Sequence, residues 1–144
     1  MTEDAVVEIL DDTRARTLLG GHTLGRLVER IHDITEIFPV NYWSDGHRIV
    51  IRTAPGTKLA GAVVADEILF QVDNVTEDVA WSVVAHCTAR VLESAEEIER
   101  ASQLDLHPLV PTVKEVFVEF KIGEISGRYF HLGAEPEAEP ETVS

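Results

Sequence analysis

Cysteine is nearly absent: Cys87 is the only one in 144 residues. One thiol can neither close an intramolecular disulfide nor build a cysteine-rich zinc site, so nothing points to an oxidising compartment. It reads instead as a small buried apolar residue, the usual fate of free cysteine. Lysine is scarce, three against nine arginines, and acidic residues outnumber basic ones 26 to 12 for a net charge of −14. A surface of that sign repels phosphate backbones and anionic headgroups at long range, which argues against nucleic-acid and membrane-surface partners. Long apolar runs are missing too, and none approaches the ~20 residues a membrane-spanning helix needs. Residues 1–12 hold five acidic side chains and no basic one, opposite in sign to the start of a signal peptide. The expectation is a soluble, cytoplasmic protein.

What is present suits one folded unit. Apolar residues make up 44% of the chain and charged ones 26%, a globular balance, and the length fits a single domain. Residues 1–133 are expected to fold. Residues 134–144, AEPEAEPETVS, have four Glu and two Pro and almost nothing to bury, so they read as an acidic disordered tail. Setting those four charges aside leaves −10 on the folded part, which is acidic in its own right. No internal repeat is visible.

Periodicity supplies the elements. Residues 8–19 have helical spacing, with Asp12 or Thr13 as cap and Gly20-Gly21 as stop. Residues 24–30 alternate, as do residues 34–43, where Pro39 removes a ladder donor and belongs at an edge, a bulge or a strand end. Ser44-Asp45-Gly46-His47 is a hairpin turn, because Asp-Gly supplies the positive φ angles that tight turns need, and it leads into a strand at residues 48–53. After the break at Ala54-Pro55-Gly56, residues 57–65 read as a short helix with Leu59, Ala62 and Val63 inward. Residues 67–73 and 81–92 are strands. Residues 94–104 are a helix with a Ser cap and a Glu three positions on. Residues 116–122 and 124–131 read as two further strands. Six or seven strands with two or three short helices make a small β-barrel.

In a chain so poor in cations, their clustering is informative. RIVIRTAPGTKL, residues 48–59, runs from a strand ending in Arg52-Thr53 through a Pro-Gly turn to Thr57-Lys58 at a helix start. A phosphate there meets backbone N–H groups together with Arg52, Thr53 and Lys58; the alternative is a surface turn with two solvated cations. The spacing is not that of a nucleotide P-loop. His22, His32, His47, His86, His107 and His131 are scattered without ligand spacing, so no metal site is expected. No nucleophile elbow exists and no carboxylate stands in an apolar setting, so no catalytic acid, base or nucleophile is assigned. Asn41-Tyr42-Trp43 and Trp81-Ser82 are either core and turn residues or the walls of a flat, polar-edged ligand. A phosphate site beside such a pocket in a small barrel points to flavin mononucleotide, FMN.

The order FPVNY (residues 38–42), Asp45-Gly46, IRTAPGTKL (51–59), QVD (71–73), WSVV (81–84) and SGR (126–128) resembles the pyridoxamine 5'-phosphate oxidase-like family of flavin-binding split-barrel proteins. More narrowly, it is similar to the short bacterial subgroup described as flavin-nucleotide-binding. The resemblance spans residues 10–130. It implies a mainly β fold, a six-stranded split β-barrel with a few short helices, forming a homodimer with two cofactor sites across the interface. It places Arg52, Thr53, Gly56, Thr57 and Lys58 at the ribityl phosphate and Pro39, Val40, Asn41 and Tyr42 along the isoalloxazine ring. Trp81 and Ser82 would come from the far wall or the neighbouring subunit, with Arg128 closing the site. The implied protein is an oxidoreductase that uses flavin N5 for hydride or electron transfer to a small-molecule redox substrate. A deazaflavin coenzyme, which the same superfamily accommodates, and a non-catalytic flavin-binding or flavin-sensing module are the alternatives. The second basic cluster with which pyridoxamine phosphate oxidases hold their substrate's phosphate has no counterpart here, so vitamin B6 oxidation is not expected.

Overall fold

Alternation of apolar and polar residues dominates the chain, and each alternating stretch becomes a strand with one face inward. The computed structural model describes residues 6–57, 60–107 and 115–133. In chain order they form β1 (Val7–Ile9), α1 (Asp12–Gly20), β2 (Leu24–Ile31), β3 (Ile34–Asn41), β4 (Trp43–Ser44), β5 (Arg48–Thr53) and a short 3-10 helix (Ala60–Val64). Then come β6 (Glu67–Val75), β7 (Val79–Val91), α2 (Ala95–Ser102) and β8 (Val116–His131). The strands pair antiparallel in the order β3-β2-β6-β7-β8-β5-β4, with β1 added to β8. The sheet curls until β3 approaches β5, giving a mainly β half-barrel of the split-barrel kind with two helices. The six expected strands are β2, β3, β5, β6, β7 and β8; β1 and β4, of three and two residues, bring the sheet to eight.

The two strands expected at residues 116–131 are one. Opposite Ala85 and Cys87 of β7 stand Ile125 and Ile122 of β8, so β8 carries one extra residue at that point. This bulge shifts the inward phase from the even positions Val118, Phe120 and Ile122 to the odd positions Ile125, Gly127 and Tyr129. A change of phase in the sequence imitates a strand break. The helix expected from residue 8 begins at Asp12, capped by Asp11, whose Oδ1 accepts the Arg14 N–H at 2.8 Å. Val7–Ile9 instead pairs with the far end of β8, a long-range partner that local periodicity cannot reveal. Of the helix expected at residues 57–65, the described residues show the 3-10 segment Ala60–Val64. Within it Ala62 is buried but Val63 is 41% exposed, and Leu59 lies outside the described residues.

Other expectations hold. Pro39 sits on β3, which ends the sheet order, so its missing N–H costs no internal ladder bond. Gly46 adopts φ of 90° in the β4–β5 hairpin, and Asp45 Oδ1 accepts the His47 and Arg48 N–H groups at 2.9 and 3.0 Å. Ser94 caps α2 by accepting the Glu97 N–H at 3.1 Å.

The barrel interior is filled by Leu27, Phe70, Val72, Val83, Ile49, Ile51, Val118 and Phe120, all essentially inaccessible. Tyr42 joins them at 1% exposure, its ring edge-on to Phe70 at 4.9 Å between centroids. Its hydroxyl donates to the Leu19 carbonyl, one of the oxygens that the end of α1 leaves without a helical partner. Burial pushes this phenol far above its ordinary range, so it stays neutral and donating. Tyr42→Phe should therefore lower unfolding stability by about 1–2 kcal/mol, read from denaturant midpoints, because the carbonyl loses its donor in a dry site.

Candidate functional site

Strand parity divides the twelve residues that the sequence singles out. Val40, Tyr42, Thr53 and Trp81 face inward and are at most 6% exposed. Pro39, Asn41, Ser82 and Arg128 alternate with inward residues and lie on the outer face, half-buried or exposed. Arg52 is also outward, beside the small second core of Val50, Leu106 and Phe117. Trp81 and Ser82 are thus adjacent in sequence but on opposite sides of the sheet.

The outer face carries a network that assembles the quoted motifs. Register places Pro39 beside Arg26, Arg26 beside Gln71, and Asp73, Ser82 and Arg128 in one cross-strand row. Arg26 Nη1 donates to Gln71 Oε1 at 3.1 Å and to Asp73 Oδ2 at 3.2 Å. Gln71 Nε2 donates to Asp73 Oδ2 at 2.7 Å and to Ser82 Oγ at 3.3 Å. Ser82 therefore accepts within the sheet and keeps its own O–H to donate outward. Eight of the nine arginines are ion-paired. Arg128, exposed at the end of this row, has no such pair among the described residues. Arg26, Gln71 and Asp73 were not singled out as site residues. The available signal was parity: Arg26 falls in the outward phase of β2, and QVD flanks an inward Val72 with two outward polar residues.

The second group lies at the end of β5. Arg52 Nη2 is paired with the Glu115 carboxylate, Nη1 donates weakly to the Leu106 carbonyl at 3.5 Å, and Nε is buried with no acceptor. Thr57 Oγ1 donates to the Ala54 carbonyl at 2.9 Å and lies 3.0 Å from Thr53 Oγ1, so Thr53 is the donor of that pair. Gly56 has φ of 76° with no atom within 4 Å of where a Cβ would be; the turn needs glycine and leaves its backbone open to approach. Lys58 lies outside the described residues. The structure thus brings Thr53, Gly56 and Thr57 to one turn, with Arg52 beside it on the opposite face of β5. It sets Arg128 apart from them: Arg52 is opposite Phe117 on β8, eleven residues from Arg128, roughly 36 Å of strand path at ~3.3 Å per residue.

Other polar groups among the described residues lie away from these two sets. Cys87 is half-buried, and desolvation pushes its thiol up to about 12, so it is not a thiolate at neutral pH. A cleft of about 350 Å³ under α2 is lined by Arg48, Arg90, Arg100, Glu97 and Glu119. Arg90 bridges Glu97 and Glu119 at 2.9 and 3.1 Å and Arg48 reaches Glu119 at 2.8 Å, so those charges largely neutralise one another. Glu29 is a buried carboxylate on β2, 4% exposed, that the sequence did not mark out. Among the described residues no group of three or more His, Cys, Asp or Glu is placed to hold a metal ion, and no helix is long and apolar enough to cross a membrane.

The sequence profile of the pyridoxamine 5'-phosphate oxidase family matches residues 11–129, which includes both groups of residues just described. The chain belongs to that family. A solved structure from Corynebacterium glutamicum, a candidate pyridoxamine 5'-phosphate oxidase, is 40% identical with a TM-score of 0.83, over 94% of this chain and 99% of that one. The FAD-binding protein of Mycobacterium smegmatis is 32% identical with a TM-score of 0.76, over 88% of this chain and 100% of that one. An uncharacterized protein of Mycobacterium tuberculosis is 34% identical over 92 residues, 64% of this chain and 84% of that protein. The solved structures that share this fold thus include an FAD-binding protein identical to this chain at about a third of the aligned residues.

Proposed function

We propose that the protein is a flavin-nucleotide-dependent oxidoreductase acting as a homodimer, with FMN as its cofactor and a small molecule as its redox substrate. The observation that carries this reading is the 32% identity, across 88% of the chain, to a protein that binds FAD; FAD and FMN share the riboflavin 5'-phosphate moiety that the site would hold. The residues present fit that moiety. A phosphate requires donors, and Arg52 has a buried Nε that lacks an acceptor while Gly56 opens the adjoining backbone. An anionic cofactor on a chain of net −14 also requires uncompensated positive charge, and Arg128 supplies it.

A bound flavin supplies hydride or electron transfer at ring N5. The chain's own residues bind and orient. Arg52, Thr53, Gly56, Thr57 and Lys58 form the phosphate turn. Pro39, opposite Arg26, and Asn41, opposite Leu24, lie at the end of β3, and they line the ring. Ser82 donates its free hydroxyl and Arg128 its charge. Val40, Tyr42 and Trp81, packed inside the barrel, fix the strands that carry these outward groups. No side chain is assigned to move a proton.

The roughly 36 Å of strand path from Phe117, opposite Arg52, to Arg128 favours a site to which two copies contribute, one supplying Arg52 and the other Arg128. The outer face has the apolar surface for such a contact: Leu24 is 56% and Ile37 61% exposed, in the outward phase shared with half-buried Val28 and Val84. FMN and FAD titrations followed by flavin fluorescence, with mass measured by light scattering, test the reading. The protein should be a dimer that binds flavin, and Ile37→Asp should lower dimerisation and flavin affinity together. A monomer that binds flavin tightly would refute the shared site.

A further inference from the structure

We infer that Glu115 sets the preference for phosphorylated over unphosphorylated flavin, by occupying Arg52 whenever no phosphate does. This rests on the flavin reading above and concerns the same turn. The Arg52 guanidinium is held at two of its three nitrogens, Nη2 by the Glu115 carboxylate and Nη1 by the Leu106 carbonyl at 3.5 Å. The third, Nε, is buried and unpaired. A desolvated donor without an acceptor is unfavourable, so the internal pair is incomplete.

The chemistry of the exchange follows from donor geometry. Nε and Nη2 lie on one edge of the guanidinium and together match two oxygens of one anion. Glu115 engages only Nη2 of that edge among the contacts present. A phosphate monoester presents three oxygens and carries about −1.5 to −2 at neutral pH. It can therefore satisfy both donors with more charge than the carboxylate it displaces. The Glu115 side chain is 34% exposed and that of Arg52 24%, so the released carboxylate has water to enter and the guanidinium is within reach of a ligand. Riboflavin ends in a hydroxyl, which offers no anion to exchange for a carboxylate. Glu115 thus acts as an internal competitor that only a phosphate outbids. It is a specificity-determining residue that touches the binding arginine.

Affinities for FMN and riboflavin, measured in the wild-type chain, Glu115→Gln, Arg52→Ala and the double variant, test this. Glu115→Gln keeps the side chain's size and removes its charge. It should tighten FMN about five- to tenfold and leave riboflavin within about twofold. In the Arg52→Ala background the same substitution should have no such effect on FMN. Unchanged or weaker FMN binding in Glu115→Gln, an equal change for both flavins, or persistence of the effect without Arg52 would each overturn the assignment while leaving flavin binding itself standing. If the wild-type chain binds neither FMN nor FAD, the flavin reading fails and takes this inference with it.

Discussion

Arg52→Ala should weaken FMN binding by at least about tenfold while leaving riboflavin binding nearly unchanged. A charge-assisted hydrogen bond contributes about 1.5–3 kcal/mol, and each 1.4 kcal/mol is a factor of about ten in affinity. The lower end applies here, because FMN must first displace Glu115 from the guanidinium and so gains less than the full interaction. The expectation is specific to the phosphate. Arg52 lies at the edge of the second core with Leu106 and Phe117, so its loss also trims packing, and a purely structural defect would weaken both flavins alike. Isothermal titration with the two ligands separates these outcomes. Lys58→Ala should behave in the same way, since Lys58 is the only other cation in the segment RTAPGTKL.

The largest stability loss is expected at Phe70. This side chain is fully buried in the middle of β6, edge-on to Tyr42 at 4.9 Å and tilted against Phe120 at 6.2 Å. It also fills the space that Gly25 leaves open: a Cβ on Gly25 would come within 2.6 Å of Phe70 Cε1. Ring and glycine are complementary across β2 and β6. Phe70→Ala leaves a cavity that neither neighbouring aromatic can fill from its own strand, and should lower the unfolding free energy by about 3–5 kcal/mol. Urea denaturation read by tryptophan fluorescence measures it, since Trp81 belongs to the same core and Trp43 packs on the second one. A loss below about 1 kcal/mol would mean that the interior collapses around the gap.

Much of the fold could be read because its signals are local. Alternation located β2, β5 and β6, Asp45-Gly46 located the hairpin, and Ser94 with Glu97 located the start of α2. Long-range effects hid the rest. β1 exists through its pairing with β8, and the bulge opposite Ala85–Cys87 turned one strand into the appearance of two.

The candidate site follows the same division. The segment RTAPGTKL points to Thr53, Gly56 and Thr57, which share one turn, and to Arg52, which leaves the opposite face of β5 beside it. Strand parity already sends Trp81 and Ser82 to opposite faces, but linear order could not tell that Glu115, sixty-three residues away, would sit on Arg52. Parity puts Arg26 on the outer face of β2, but its partners Gln71 and Asp73 belong to another strand and become visible only in the register.

The central claim is that this chain holds a flavin nucleotide. It is tested most directly by releasing whatever the purified protein carries, by heat, and recording the absorption spectrum and mass of the supernatant, with FMN and FAD titrated into the stripped protein. The expected result is a flavin nucleotide in the supernatant, or its rebinding with micromolar or better affinity to a dimer. A stripped protein that binds neither FMN nor FAD, and a supernatant without flavin absorption, would contradict it.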